Sequence, residues 1–239
     1  MATAESLASL ELFDALEIEY EHAYKTCPSK IAVVKKAMSL MPPGSMALDI
    51  GCGTGSPVTE LLHEHFQVVG LDISPKMVEH TRRRFRGTFL VADMLEYQPQ
   101  GTFSAVFVLF SQLMLPYSDF HSAAYRFANA LEPGGLFVLG QMPSDGYVAD
   151  EAAYDETKSY VEAYDAPFMG RPFPTLMLSL EGQREFLRSM GLEIVYETVD
   201  LFQPDNPKCA PEEQQYLIAR RALEQTGELS PPRPMPRTL

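Results

Sequence analysis

The chain has 239 residues, 46% of them hydrophobic, enough to bury a full core, and one domain with decorations is the natural expectation. A formal net charge of −13 repels phosphate backbones and anionic lipid, so nucleic acid and acidic membranes are excluded as expected partners. Three scattered cysteines, Cys27, Cys52 and Cys209, offer neither a disulfide framework nor a metal knuckle, which fits a reducing, cytoplasmic setting.

Residues 1–20 carry Glu5, Glu11, Asp14, Glu17 and Glu19 with no Lys or Arg, unlike a signal or transit peptide. Residues 5–41 read as two helices parted at Pro28-Ser29, the second with Ile31, Val34, Met38 and Met41 as its buried stripe. After Pro42-Pro43-Gly44, the apolar run Met46 to Ile50 stops at Gly51, Gly53 and Gly55. Val58, Leu61, Leu62 and Phe66 then recur at helical spacing, so the passage reads strand, tight turn, amphipathic helix. Glycine suits a strand end that folds back with a ligand against its backbone, since a Cβ would take the ligand's space. A dinucleotide fingerprint would need its third glycine where Ser56 stands, so pyrophosphate is disfavoured.

A second strand, Gln67 to Leu71, ends at Asp72, twenty-one residues after Gly51, where a carboxylate can take both hydroxyls of a ribose. Ser74-Pro75 opens a helix with Met77, Val78, Thr81 and Phe85 inward; Arg82, Arg83, Arg84 and Arg86 form its solvated end. A third strand, Phe89 to Ala92, leads into Asp93. The longest apolar stretch, residues 103–116, is broken by Ser111 and Gln112 and is too short to span a bilayer. Strand four is Phe103 to Phe110. A helix with Phe120, Ala124, Phe127 and Leu131 follows it, and strand five runs from Leu136 to Gly140. Such alternation predicts an α/β fold with a doubly wound, Rossmann-like parallel sheet.

Residues 142–178 break the rhythm, and Tyr147 to Tyr164 reads as a helix. With seven acids against Lys158 over residues 142–168, the stretch reads either as a solvated face or as an acidic, tyrosine-lined cap favouring an amine or neutral aromatic. Gly170 to Pro174, with Arg171 and Phe173, is a candidate closing loop. From Thr226 onward, Pro231, Pro232, Pro234 and Pro236 predict an extended, disordered tail. His63 and His65, two apart on a helix, cannot form a metal pair.

Four motifs in order, Asp49-x-Gly51-x-Gly53-x-Gly55, Leu71-Asp72-Ile73-Ser74, Val91-Ala92-Asp93-Met94 and Leu131-Glu132-Pro133-Gly134-Gly135, resemble the class I S-adenosylmethionine-dependent methyltransferases. The small-molecule branch is the most similar, over residues 45–225. The resemblance implies a seven-stranded sheet whose last pair, Leu192 to Leu201 and Gln215 to Ala222, is antiparallel at the edge. It divides the chain into an N-terminal helical lid (1–45), a methyltransferase domain (46–225) with a helical substrate cap (142–178), and the tail (226–239). Phe13, Tyr20 and Tyr24 belong to the lid.

By resemblance the cofactor is S-adenosylmethionine, leaving as S-adenosylhomocysteine. Gly51, Gly53 and Gly55 would let backbone approach its methionine and ribose, and Asp49 would support the turn and the amino group. Asp72 would take the ribose hydroxyls. Ile73 and Met77 would pack on adenine, Asp93 with Met94 would take the exocyclic amine, and Phe110 would close the site after strand four. Ser104 stands where many relatives carry Asp. Transfer is mainly positioning, and a base matters only for a protonated nucleophile; the candidates are Tyr20 and His22 from the lid, Ser111 and Gln112 after strand four, and Tyr117. Phe110-Ser111-Gln112-Leu113 has neither the acid of metal-dependent relatives nor the Pro-Pro of nucleic-acid amine methylators, so no catalytic metal is expected. The expected function is methyl transfer to N or O of a small-molecule acceptor, with specialised metabolism as a candidate setting, by a monomer or homodimer. The alternative is a binder of the same cofactor that regulates, or that catalyses a rearrangement or cyclisation without methylation.

Overall fold

The structure, a computed structural model, describes residues 3–229. Three helices come first, α1 (Ala4–Leu16), α2 (Ile18–Tyr24) and α3 (Pro28–Met38), followed by β1 (Met46–Ile50), α4 (Val58–Leu62), β2 (Gln67–Asp72), α5 (Pro75–Arg84) and β3 (Thr88–Val91). Next are β4 (Phe103–Leu109), α6 (Tyr117–Asn129), β5 (Leu131–Gln141), β6 (Tyr160–Phe168), β7 (Arg171–Leu178), α7 (Leu180–Ser189), β8 (Leu192–Phe202) and β9 (Glu212–Arg221).

Seven strands form one sheet in the order β3-β2-β1-β4-β5-β9-β8. All neighbours pair parallel except around β9, which runs antiparallel to both β5 and β8. The Rossmann-like α/β expectation holds, with the predicted last pair at the edge. Every residue of β4 is buried, because helices cover both faces of a parallel sheet. Ala105, Phe107 and Leu109 join α3 and α4 on one face; Val106 and Val108 meet Phe120 and Phe127 of α6 and Phe186 of α7 on the other. The period of two puts consecutive β4 residues into two separate cores. A ligand must therefore sit beyond the strand ends, where the chain reverses from β1 to β4.

Three departures from the sequence reading have local causes. The N-terminal segment holds three helices rather than two, because Glu17 takes a left-handed backbone (φ 41°) and turns α2 away from α1. The stripe of α3 is rotated: Lys30, Val33, Val34, Ala37 and then Met41 are buried, while Ile31 and Met38 are only half-buried. The expected helical cap is instead a two-stranded antiparallel hairpin, β6–β7, preceded by two three-residue turns. Asp155 explains the missing helix: its carboxylate accepts the backbone N–H of Thr157 (2.9 Å), Ser159 (2.6 Å) and Tyr160 (3.0 Å). That competes with i→i−4 bonding and starts β6. The hairpin turns through Met169 (φ 47°) and Gly170 (φ 81°).

The tail expectation falls mostly on residues 230–239, outside the described residues. Residues 226–229 are not free of the fold. Leu229 is 3% exposed, and its N–H donates to Asn129 Oδ1 at 2.7 Å. Among the described residues, no helix is long and apolar enough to cross a membrane.

Candidate functional site

A cleft opens at the carboxyl ends of β1 to β4. Gly51 and Gly53 follow β1, Asp72 and Ile73 end β2, Asp93 and Met94 follow β3, and Phe110 and Ser111 follow β4. The roof is Ser6, Ser9 and Phe13 of α1 with Tyr20 of α2; Met77, Met114 and Leu115 complete the wall. Asp14 holds the roof down by accepting from Ser74 Oγ, which itself caps α5 by accepting from Met77 N–H at 3.1 Å. Glu17 adds contacts to Lys76 (2.7 Å) and His80 (3.4 Å).

The three glycines divide into two that packing requires and one that faces open space. A Cβ on Gly51 would lie 2.2 Å from Ser111 Cβ, and one on Gly55 would lie 2.6 Å from the Phe85 ring. Those two are required by protein packing; Gly55 does not line the cleft. A Cβ on Gly53 (φ 54°) would meet nothing within 4 Å. Only there is bare backbone turned toward open cleft.

Asp72 accepts Gly53 N–H (2.9 Å) on one oxygen and Ser74 N–H (2.8 Å) on the other. Burial outweighs these bonds and raises its pKa to about 6. Asp93 Oδ1 accepts Leu95 N–H at 2.9 Å, but its buried Oδ2 has no partner. Asp49 lies beneath the turn, outside the cleft lining, bonded to Thr59 Oγ1 at 2.7 Å; burial raises its pKa to about 7. Phe110 lines the cleft with a left-handed backbone, φ 63°, where non-glycine residues are strained. Ser111 Oγ is buried there without a partner.

The candidate bases are not brought together. Tyr20 lines the cleft, but burial, then the charges of Glu212 and Asp72, push its hydroxyl far above the ordinary tyrosine value. Held protonated in this way, it is suited to donating a hydrogen bond rather than to taking a proton. His22 is exposed on α2 and does not line the cleft. Gln112 is fully buried behind the wall, donating to Gly140 C=O at 3.2 Å. Both lie off the cleft because the cleft side of these segments is taken by Tyr20 and by Phe110-Ser111. Tyr117 faces away too, stacked on Tyr160 at 4.1 Å. Among the described residues, no group of three or more His, Cys, Asp or Glu is arranged to hold a metal ion.

Behind Phe110 and Tyr20 lies a buried polar network that sequence reasoning missed. Tyr24 Oη donates to Glu212 (3.3 Å), Gln214 Nε2 donates to Glu212 (2.5 Å), and Tyr216 Oη donates to Gln214 Oε1 (2.5 Å). Lys30 is buried beside it, with Nζ 4.8 Å from the Phe110 ring centroid. The available signal was a lysine in register with Val33, Val34 and Ala37. The partners on β9 lie more than 180 residues away in sequence, so no local pattern joins them.

Comparison with known proteins now adds to the geometry. Residues 47–135, spanning the glycine turn and both acidic strand ends, match the model of a methyltransferase domain. Over these residues the chain is similar to a methyltransferase domain, which supports the resemblance carried by the four motifs. The magnesium protoporphyrin IX methyltransferase (ChlM) of Synechocystis PCC 6803, solved with bound SAM, has the same fold as this chain. Its TM-score is 0.65 at 16% identity, covering 92% of this chain and 99% of that one. The dTDP-3-amino-3,4,6-trideoxy-alpha-D-glucopyranose N,N-dimethyltransferase of Streptomyces venezuelae is 34% identical over 42% of this chain and 44% of its own length. The O-methyltransferase cnsE of Penicillium expansum is 25% identical over 78% of this chain and 63% of its own. The chain thus spans roughly half to two thirds of the length of these relatives.

Proposed function

We propose that the chain is an S-adenosylmethionine-dependent methyltransferase acting on N or O of a small-molecule acceptor, α1 and α2 forming its lid and the β6–β7 hairpin its acceptor-side wall. The observation carrying this reading is one cleft holding bare backbone at Gly53, the Asp72 carboxylate beside it, and an unpartnered Oδ2 on Asp93. Each Asp72 oxygen keeps a lone pair after its backbone bond, which suits two neighbouring hydroxyls. Asp93 Oδ2 suits an amine donor such as that of adenine, between Ile73, Met77 and Met94. Asp49 supports the turn from below rather than facing the cleft. Relatives named for N- and for O-methylation both support a small-molecule acceptor.

The bound cofactor supplies a methyl group on a positively charged sulfur. The chain's own residues supply the conditions for its transfer. Phe13, Tyr20 and Phe110 exclude water from the cleft, where a neutral or anionic nucleophile gains from desolvation. Ser111 Oγ and the Tyr20 hydroxyl offer polar contacts that can orient an acceptor. Among the described residues of the cleft wall, Asp72 and Asp93 are taken by the cofactor in this reading, which leaves positioning to carry the rate.

The test is incubation of the protein with labelled cofactor and a panel of amines, phenols and carboxylic acids, followed by mass spectrometry. Label on a panel member is the expected result. Tight S-adenosylhomocysteine binding with no methylated product from an extended panel would instead support a regulatory or rearranging role.

A further inference from the structure

A second cavity lies between α1 and the β6–β7 hairpin. Leu12 and Leu16 of α1 form one wall, and Phe168, Met169 and Phe173 of the hairpin form the other, with Arg171 at the turn also lining it. One helix therefore faces two spaces: Ser6, Ser9 and Phe13 roof the cleft, while Leu12 and Leu16 wall the cavity. The partition between them is a layer of rings. Phe168 lies 6.3 Å from Phe13 and 6.2 Å from Tyr20, both of which line the cleft. Among the described residues no hydrogen bond joins α1 to the hairpin, so side-chain rotamers, and not backbone pairing, separate the two spaces.

Charge at the hairpin turn is positive, against the trend of the chain. Arg171 is exposed, and among the described residues its guanidinium has no hydrogen bond or ion pair. Lys208 stands beside the turn, since a Cβ on Gly170 would lie 3.3 Å from Lys208 Cβ. Glu19 answers that lysine, accepting from Lys208 Nζ at 3.0 Å and from Asn206 Nδ2 at 3.3 Å, while Arg171 acts on it only at longer range. The acids of the insertion are engaged elsewhere. Asp145 accepts Leu180 N–H, Glu151 pairs with Lys158, Asp155 accepts Ser159 N–H and Glu162 accepts Tyr117 N–H, and none of the four lines this cavity. Apolar walls with an open guanidinium fork at the rim match an amphiphilic monoanion, an apolar body ending in a carboxylate.

We propose that this cavity is a second subsite for the methyl acceptor, and that the acceptor is an apolar carboxylic acid. Its body lies between α1 and the hairpin, its carboxylate pairs with Arg171, and its amine or hydroxyl reaches the cleft between Phe13 and Tyr20. The inference rests on the methyltransferase reading above and gives that reading its substrate class.

Matched acceptors test it: 3-(4-hydroxyphenyl)propanoate and 3-(4-aminophenyl)propanoate, each beside its N-methyl amide, with labelled cofactor. The wild type is expected to favour the acids in kcat/KM by about fivefold, the scale of an exposed but bidentate ion pair. Arg171→Met should erase that preference by raising KM for the acids with kcat little changed, and Arg171→Lys should keep part of it. Added salt should narrow it, as screening requires. Leu16→Trp, which fills the cavity, should raise KM for acids and amides alike. If no acceptor of the set is methylated, calorimetry of 3-phenylpropanoate and 3-phenylpropanamide on the protein loaded with S-adenosylhomocysteine supplies the same comparison. In either assay, equal or absent response to acid and amide, or a preference for the acid that survives Arg171→Met, overturns the proposal. A folded Leu16→Trp that takes the acid as the wild type does overturns it too. A protein that methylates the amides without favouring the acids loses this inference alone. One that binds no S-adenosylhomocysteine loses the cofactor reading, and this inference with it.

Discussion

Asp72 and Asp49 are carboxyls whose folded environment favours the proton, to about pKa 6 and about pKa 7, with burial the main cause in each. Unfolded aspartate titrates near about 3.9. A folded pKa above the unfolded one means that stability is fully present below the unfolded value and is lost as pH rises through the folded values. Carboxylates with lowered pKa, such as Glu17, Glu181 and Glu197, act in the opposite sense, but below their ordinary value of 4.5. The ligand-free protein is therefore expected to melt at higher temperature at about pH 5 than at about pH 8, and Asp49→Asn to flatten that slope. S-adenosylhomocysteine affinity should run the other way, because ribose hydroxyls need an ionised Asp72. Asp72→Ala should weaken that affinity by about 1–3 kcal/mol in calorimetry. At this scale, what chain order could convey was that Gly53, Asp72 and Asp93 stand at neighbouring strand ends, and they do line one cleft. It was silent where a glycine answers to a distant side chain: nothing near Gly51 announces Ser111, and nothing near Gly55 announces Phe85.

Among the elements, α5 carries the roof. Ser74 serves its helix and the lid together, whereas Asp14 serves only the contact between them. Urea denaturation of the single and double alanine variants should therefore show Ser74→Ala costing about 1 kcal/mol as a lost cap, more than Asp14→Ala, with coupling between them. The hairpin is tied to the lid by rings: Phe168 lies 6.2 Å from both Tyr20 and Tyr24, 6.3 Å from Phe13 and 4.9 Å from Phe173. Phe168→Ala is expected to destabilise by about 3–5 kcal/mol in urea denaturation. These elements were the least legible. Tyr160 to Phe168 has strand-forming residues, but its acids at helical spacing hid them, and only the Asp155 turn and pairing with β7 decide the outcome. The main strands were legible because runs such as Phe103 to Leu109 can be buried on both faces only within a parallel sheet.

For the whole molecule, a net charge of −13 means that the folded state repels itself. Raising ionic strength from about 0.01 M to about 0.15 M shortens the Debye length from about 30 Å to about 8 Å, so Tm should rise across that range in a thermal melt. Strand order and the position of the cleft follow from the βα alternation and the handedness of crossovers, which is why they could be anticipated. The buried polar network could not, because it joins α2, α3 and β9, stretches that meet only in the folded chain.

The hook between Asp14 and Ser74 has a kinetic corollary. With α1 fastened across the mouth, traffic in and out waits on the fastener and not on the traveller. A nucleoside carrying the extra methyl and one lacking it should then depart at nearly equal rates in stopped-flow chase, and Asp14→Ala should quicken both together.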